Sequence, residues 1–404
     1  MEKNYFASIE FGSLYTTILV VSFNNGNINV VASYKHKSSG YYDARIVNQD
    51  NFTSSLNSII NRINKKYKIL IDEAIVILPN NEHQVYKARV KNKILTERQI
   101  IGISQIDAIS KQILKSNVNE VSKIISSEVI AYVLDDGTTF RTPPINKQSA
   151  TLEIKSSVST LPLSIIDPIF DALKQSNINV LESYINCFCA RQAAMKEFDL
   201  EDNSIHVNIG QEITTIAAYS KNILLKSLKI NFGVETLIDY LAYNLKCEKE
   251  FATTLFESYF VCDSELASDI IFDEENHLSE KRISGIVLNR LHNGFNEILD
   301  KIVNLASSLA FEEGYKIYVS GYLNDYEYFD IHFKEFAEMD IIPRNIELIG
   351  IHEQCYINNL GAILLFIDQH HQMIINRLDE TIDLNVESKK QENSNSRFRD
   401  IFDD

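Results

Sequence analysis

The chain has 404 residues, 45% hydrophobic and 23% charged, which allows two to four domains of ordinary size and excludes disorder along the whole chain. Lys and Arg number 39 against 55 Asp and Glu, and the net charge of −16 argues against nucleic acid as a partner and against a broadly basic membrane-binding face. The opening MEKNYFASIEFG is acidic and aromatic where a signal peptide is basic and then apolar, and the longest apolar run, 362–367, is closed by Asp368, so a cytoplasmic protein, soluble or peripheral to a membrane, is expected.

In chain order, strands are expected over 5–10, 16–23 and 27–33, separated by Gly12-Ser13 and by the hairpin turn Asn24-Asn25-Gly26. Phe52, Leu56, Ile59, Ile60, Ile63 and Tyr67 fall at helical spacing with Asp50 or Asn51 as N-cap, and 73–78 reads as a buried strand stopped by Pro79. A compact α+β unit follows: a helix over 97–115, a strand over 123–134, the turn Asp135-Asp136-Gly137 and a strand over 149–161. The chain then returns with a helix over 163–175 and a strand over 179–184. Cys187, Cys189, Cys247, Cys262 and Cys355 include no C-x-x-C pair and fit a reducing compartment, with Cys187 and Cys189 expected as packed thiols rather than metal ligands.

An internal repeat is the most informative feature. IEFGSLYTTILVVS (9–22) can be laid on VNIGQEITTIAAYS (207–220) without a gap, matching Gly12 with Gly210 and Thr16-Thr17-Ile18 with Thr214-Thr215-Ile216. Each copy reads as strand, glycine turn and strand, and each is followed by a third strand, as expected of a duplicated α/β domain. Helices are expected over 235–245 and 279–309, a strand over 316–319 leading into Ser320-Gly321, and a core helix over 361–367. After about 379 the spacing fades into the polar ESKKQENSNS, and SRFRDIFDD places Phe398, Ile401 and Phe402 on one face of a short helix.

Duplicated halves with glycine hairpins resemble the actin, Hsp70 and sugar-kinase superfamily, where such turns point backbone N–H groups at nucleotide phosphates. The order of elements is most similar to the bacterial cell-division family FtsA. The FtsA opening motif resembles Glu10-Phe11-Gly12-Ser13-Leu14-Tyr15, and its second loop resembles Asn208-Ile209-Gly210-Gln211-Glu212-Ile213-Thr214-Thr215-Ile216. A further glycine motif is similar to the stretch from Gly233 to Ala242, the adenosine-side motif to Ser320-Gly321-Tyr322, and the inserted unit falls where FtsA carries subdomain 1C. The resemblance implies a duplicated actin-like, ribonuclease H-like α/β fold with an inserted α+β subdomain. It assigns 1–86 and 166–203 to subdomain 1A, 87–165 to 1C, 204–372 to 2A and 2B, and 373–404 to a linker and amphipathic peptide.

It also implies ATP with Mg²⁺ as the cofactor, with Gly12, Ser13, Gly210, Gln211, Gly233, Gly321 and Tyr322 lining the cleft. The departures weigh against that chemistry. The second-loop Asp of the family is here Asn208, two glycines are Gln211 and Glu212, the later Asp is Thr215, the first-loop Lys is Tyr15, and an adenosine-side glycine is Tyr322. Hydrolysis is therefore not expected, no catalytic or metal-ligating residue is assigned, and whether ATP is held at all stays open. Asp107, Asp167 and Asp171 are sugar-kinase bases by letter only, and His370-His371 reads as a solvated pair.

For partners, the resemblance implies an adaptor that self-associates and links the tubulin-like FtsZ to the inner face of the cell membrane at the division site. The FtsZ tail would meet Arg290, helped by Lys281 or Arg282, in a stretch similar to the family's partner motif, and Phe398, Ile401 and Phe402 would bind membrane weakly or dock into a partner. An active ATP-dependent actin, Hsp70 or sugar-kinase relative and a pilus-assembly actin homologue are the alternatives.

Overall fold

The computed structural model describes residues 5–370 apart from 25–26, 97, 117–120, 195–202, 310, 312–313, 338, 344, 347 and 352. The strands are β1 (Tyr5–Phe11), β2 (Tyr15–Asn24), β3 (Asn27–Lys37), β4 (Tyr41–Tyr42), β5 (Arg45–Ile46), β6 (Glu73–Leu78), β7 (Gln84–Lys93), β8 (Ser122–Leu134), β9 (Thr139–Phe140), β10 (Thr151–Pro162), β11 (Asn179–Ile185), β12 (Ser204–Ile209), β13 (Thr214–Ser220), β14 (Ile223–Ile230), β15 (Lys316–Gly321) and β16 (Ile341–Pro343). The helices are α1 (Gln49–Tyr67), α2 (Ile103–Ser116), α3 (Leu163–Gln175), α4 (Asn186–Ala194), α5 (Val234–Leu245), α6 (Lys249–Tyr259), α7 (Glu280–Ser308), α8 (Phe329–Ala337) and α9, over 357–370.

The repeat seen in sequence is a repeat of topology. One sheet runs β3-β2-β1-β6-β11 and another β14-β13-β12-β15-β16, each with three antiparallel strands followed by two parallel ones. The register repeats too: Glu10 faces Thr17 in the first hairpin, and Asn208 faces Thr215 in the second. A third sheet, β7-β10-β8-β9, carries α2 on one face and comes from the inserted stretch between β6 and α3.

Helices cover the two repeated sheets because their apolar stripes have nowhere else to go. Phe52, Leu56 and Ile63 of α1 and Ile165 and Ile169 of α3 bury one face of the first sheet, and Ile363 and Phe366 of α9 bury the other. Along α7, Ile283, Val287, Leu291, Ile298 and Ile302 form the stripe that meets the second sheet. Helix α4 lies between the two sheets, with Cys187 packed by Tyr219 and Cys189 by the core around α9. Both thiols are free and buried, and burial pushes Cys187 up to about 12. Gly361 allows that closeness: a Cβ there would fall onto the Cys189 carbonyl.

Two local expectations are corrected. The cap of α1 is Asn48, whose side chain accepts the Asn51 N–H, one turn before the first apolar position. Helix α2 starts at Ile103 rather than 97, because Ile101 exchanges backbone hydrogen bonds with Lys147 and Asn146 and Gln99 takes a positive φ of 52°.

Candidate functional site

The two glycine turns face each other across the cleft between the repeated sheets. Each is closed the same way: the Gly12 N–H donates to the Tyr15 carbonyl at 3.1 Å, and the Gly210 N–H to the Ile213 carbonyl at 3.0 Å. Between them lies the side chain of Gln211. Its Oε1 accepts the Leu14 and Tyr15 N–H groups at 2.9 and 2.7 Å, while its Nε2 donates to the Tyr15 carbonyl at 3.0 Å and the Tyr322 hydroxyl at 2.6 Å. The N–H pair of the first turn, the group that could cradle an anion, is occupied by the chain's own carboxamide. Gly12 is required for this seat, since a Cβ would land inside the amide of Gln211.

The N-terminus of α5 is spent in the same way. The Val234 and Glu235 N–H groups donate to the Gly210 and Gln211 carbonyls at 3.2 and 2.8 Å, and Gly233 lets the backbones approach where a Cβ would strike Gln211. Ser13 donates to the Glu235 carboxylate at 2.9 Å, which in turn pairs with Lys249 at 2.5 Å. Glu212 is half-buried rather than solvated. Burial pushes its carboxyl up, hydrogen bonding from Ser13 pulls it down, and Glu235 and Asp43 push it up further.

On the floor of the cleft, Asn208 donates to Asn358 at 3.1 Å and Asn358 donates to Glu10 Oε1 at 2.6 Å. Glu10 Oε2 is buried without a hydrogen bond among the described residues, and burial raises this carboxyl to about 7, with the Asn358 bond opposing. Thr215 accepts from Asn80 at 3.0 Å, and Thr17 donates to Asn359 at 2.8 Å, so each hairpin is buttressed by an amide from elsewhere. Gly321, at φ 120°, sits where a Cβ would strike the Ile209 carbonyl, and Tyr322 packs against the cores of both halves. The space left between the turns is about 50 Å³.

The structure thus brings Gly12, Ser13, Gly210, Gln211, Gly233, Gly321 and Tyr322 to one cleft. Sequence reasoning missed Asn358, Glu235 and Lys249, whose signals are a neighbouring Asn-Asn pair and ordinary helix-face charges. It does not gather the three cations into one patch. Lys281 pairs with Asp269 at 3.1 Å, Arg282 donates to the Asn276 and His277 carbonyls at 2.6 and 3.0 Å, and Arg290 lies over the Phe232 ring at 5.3 Å. Lys281 and Arg290 are about two and a half helical turns apart, which puts them on opposite sides of α7. Phe398, Ile401 and Phe402 lie outside the described residues.

No protein-family model matches the chain. Among curated proteins, the cell division protein FtsA of Streptococcus pneumoniae is 22% identical over 273 residues, covering 68% of this chain but 60% of that protein, less than two thirds of its length. FtsA of Staphylococcus epidermidis is 21% identical over 314 residues, 76% of this chain and 67% of that protein. Among solved structures, a PilM-PilN type IV pilus biogenesis complex matches over 89% of this chain and 97% of that one, with a TM-score of 0.64 and 10% identity. MreB5 of Spiroplasma citri bound to ADP matches over 93% and 99%, with a TM-score of 0.53 and 12% identity. The structural likenesses, with the repeated sheets and facing turns, show a duplicated actin-like fold, and in sequence the chain is FtsA-like, at a divergence of 21–22% identity.

Proposed function

We propose that the protein is a cell-division adaptor that self-associates and links FtsZ to the inner face of the cytoplasmic membrane, with a nucleotide cleft converted into a structural joint. The observation that carries the second half is Gln211, which holds the phosphate-turn N–H groups with its own amide. The residues present do not fit Mg-ATP: only about 50 Å³ remains between the turns, and the larger cavity of about 910 Å³ beside Leu14, Tyr15 and Tyr322 is lined by Glu257, Asp325, Glu327 and Glu353, whose carboxylates oppose a polyphosphate. Glu10 has amides rather than carboxylates beside it, and Thr215 is spent on Asn80. The pilus-assembly alternative shares only the fold, whereas the curated sequence relatives carry the cell-division name.

Ligands that bind only the folded state raise its melting temperature by mass action. Millimolar Mg-ATP is therefore expected to leave the melting temperature unchanged and to release phosphate at the background rate. A saturable upward shift, or turnover, would restore the active-ATPase reading.

The adaptor half rests on α7. Val287, Leu288 and Phe295 of the partner-motif stretch are buried, while Arg290 is half-buried on Phe232 and can still present its guanidinium to an acidic peptide. Capture of the chain by an immobilised FtsZ tail peptide tests the reading. Arg290→Glu is expected to weaken that capture about tenfold or more, the worth of one charge-assisted hydrogen bond. Failure of the native chain to bind the peptide would sink the FtsZ link, and unchanged capture of Arg290→Glu would move the contact off α7.

A further inference from the structure

The inserted sheet and the edge of the second repeated sheet enclose a cavity of about 630 Å³, remote from the glycine turns. Ile130, Ile223 and Leu225 give it apolar walls. Lys87, Arg89, Arg141 and Lys155 also line it, no carboxylate does, and none of the four cations forms an ion pair among the described residues. In a chain of net charge −16 this is a concentrated positive site. Two of the cations are set against each other, because Arg89 on β7 stands directly opposite Lys155 on β10. Like charges at such a position destabilise a strand pair, and an anion between them would relieve the repulsion.

The wall formed by β14 is not open to strand addition. The Leu224 N–H donates to Glu128 at 3.0 Å and the Leu224 carbonyl accepts the Ser157 hydroxyl, so between Ile223 and Leu225 the edge backbone is already used. A ligand must enter with side chains: apolar groups toward Ile130, Ile223 and Leu225, carboxylates toward the rim.

The segment 398–404, FRDIFDD, has that composition, with Phe398, Ile401 and Phe402 beside Asp400, Asp403 and Asp404, which outnumber its cation Arg399. It is within reach. His370, at the end of α9, lies 3.8 Å from Glu182 of β11, and β11 touches β8 of the inserted sheet. A flexible chain as long as 371–397 averages roughly 30 Å from end to end.

We infer that segment 398–404 docks into this cavity of its own chain, Phe and Ile first, with its aspartates against Arg89, Lys155, Lys87 and Arg141. This rests on the reading of that segment as the attachment peptide, and it makes the docked state one in which the attachment face is hidden.

The test titrates a fluorescent synthetic peptide of residues 396–404 into the full chain and into the full chain carrying Phe398→Ala, Ile401→Ala and Phe402→Ala. The substituted chain is expected to bind the peptide saturably and about tenfold or more tighter than the native chain, whose own segment competes at millimolar effective concentration. Adding Arg89→Ala and Lys155→Ala to the substituted chain is expected to weaken binding about tenfold, as is raising the salt to about 0.5 M. Both changes remove a repelling pair, so the melting temperature should not fall. A peptide bearing Phe402→Ala, which leaves the protein untouched, should lose binding. Equal affinity for native and substituted chains overturns the proposal, as does absence of binding to the substituted chain. Indifference to Arg89→Ala with Lys155→Ala overturns the location, and competition that grows with chain concentration overturns docking within one chain. The FtsZ-tail capture experiment does not involve this cavity, so a failure of the adaptor reading would appear there and not here.

Discussion

Gly12→Ala is expected to destabilise the protein by about 2 kcal/mol, and most of that loss should disappear when Gln211→Ala is also present. The new methyl would sit inside the seat of the Gln211 carboxamide, so the amide has to leave or the turns have to part. Either way, bonds to Leu14, Tyr15 and Tyr322 are broken, each worth about 0.5–1.5 kcal/mol net. Gln211→Ala alone should cost about 1–3 kcal/mol, since the Leu14 and Tyr15 N–H groups lose their acceptor, although the vacated volume lets water reach them. The three atoms nearest to that methyl all belong to the carboxamide, and Gln211→Ala removes them. A coupling of at least about 1 kcal/mol in a four-protein urea-unfolding cycle is therefore expected, and strict additivity would mean that Gln211 does not join the two halves in solution.

Much of this architecture was legible in the sequence because the duplication preserved register. The two hairpin segments align without a gap, and in the structure Glu10–Thr17 and Asn208–Thr215 are matching cross-strand pairs. A continuous apolar run stopped by Pro79 placed β6, which is buried on both faces, while local periodicity placed α1, α3 and α7 for the reason that each buries one face. It failed where both faces are covered: α4 lies between two sheets, so its buried Cys187, Cys189 and Ala190 give no single stripe. Strand β7 does alternate, with exposed Lys87, Arg89 and Lys91 against Ala88 and Val90, and it was passed over although the pattern was in the sequence. The start of α2 was set by a long-range backbone exchange with Lys147 and Asn146, which no window of neighbouring residues contains. At the site, Gln211 was read as a lost glycine. Its actual work is to supply the acceptor that the first turn needs, and that is visible only when residues nearly two hundred positions apart are seen together.

The second large effect concerns Glu10 and pH. Its carboxyl lies inside the cleft with one hydrogen bond, from Asn358, and no cation beside it among the described residues, so burial holds the folded-state value near 7, above the ordinary 4.5. The folded chain then holds a proton that the unfolded chain releases between these two values, and stability falls as pH rises. Below 4.5 both states carry the proton and the group costs nothing. Above 7 the full penalty of burying the charge is present, about 3 kcal/mol for a displacement of this size. Glu10→Gln keeps an acceptor for Asn358 and removes the charge. It is expected to be about 2–3 kcal/mol more stable than the native chain at pH 8 and nearly equal to it at pH 4.5. Repulsion from the net charge of −16 also lowers stability at high pH, but it acts on both proteins and cancels in the difference. Urea unfolding of the two proteins at pH 4.5, 6 and 8 measures that difference directly. Parallel pH profiles would show that Glu10 is hydrated or paired in solution, and the floor of the cleft would then be open to water rather than sealed by Asn208 and Asn358.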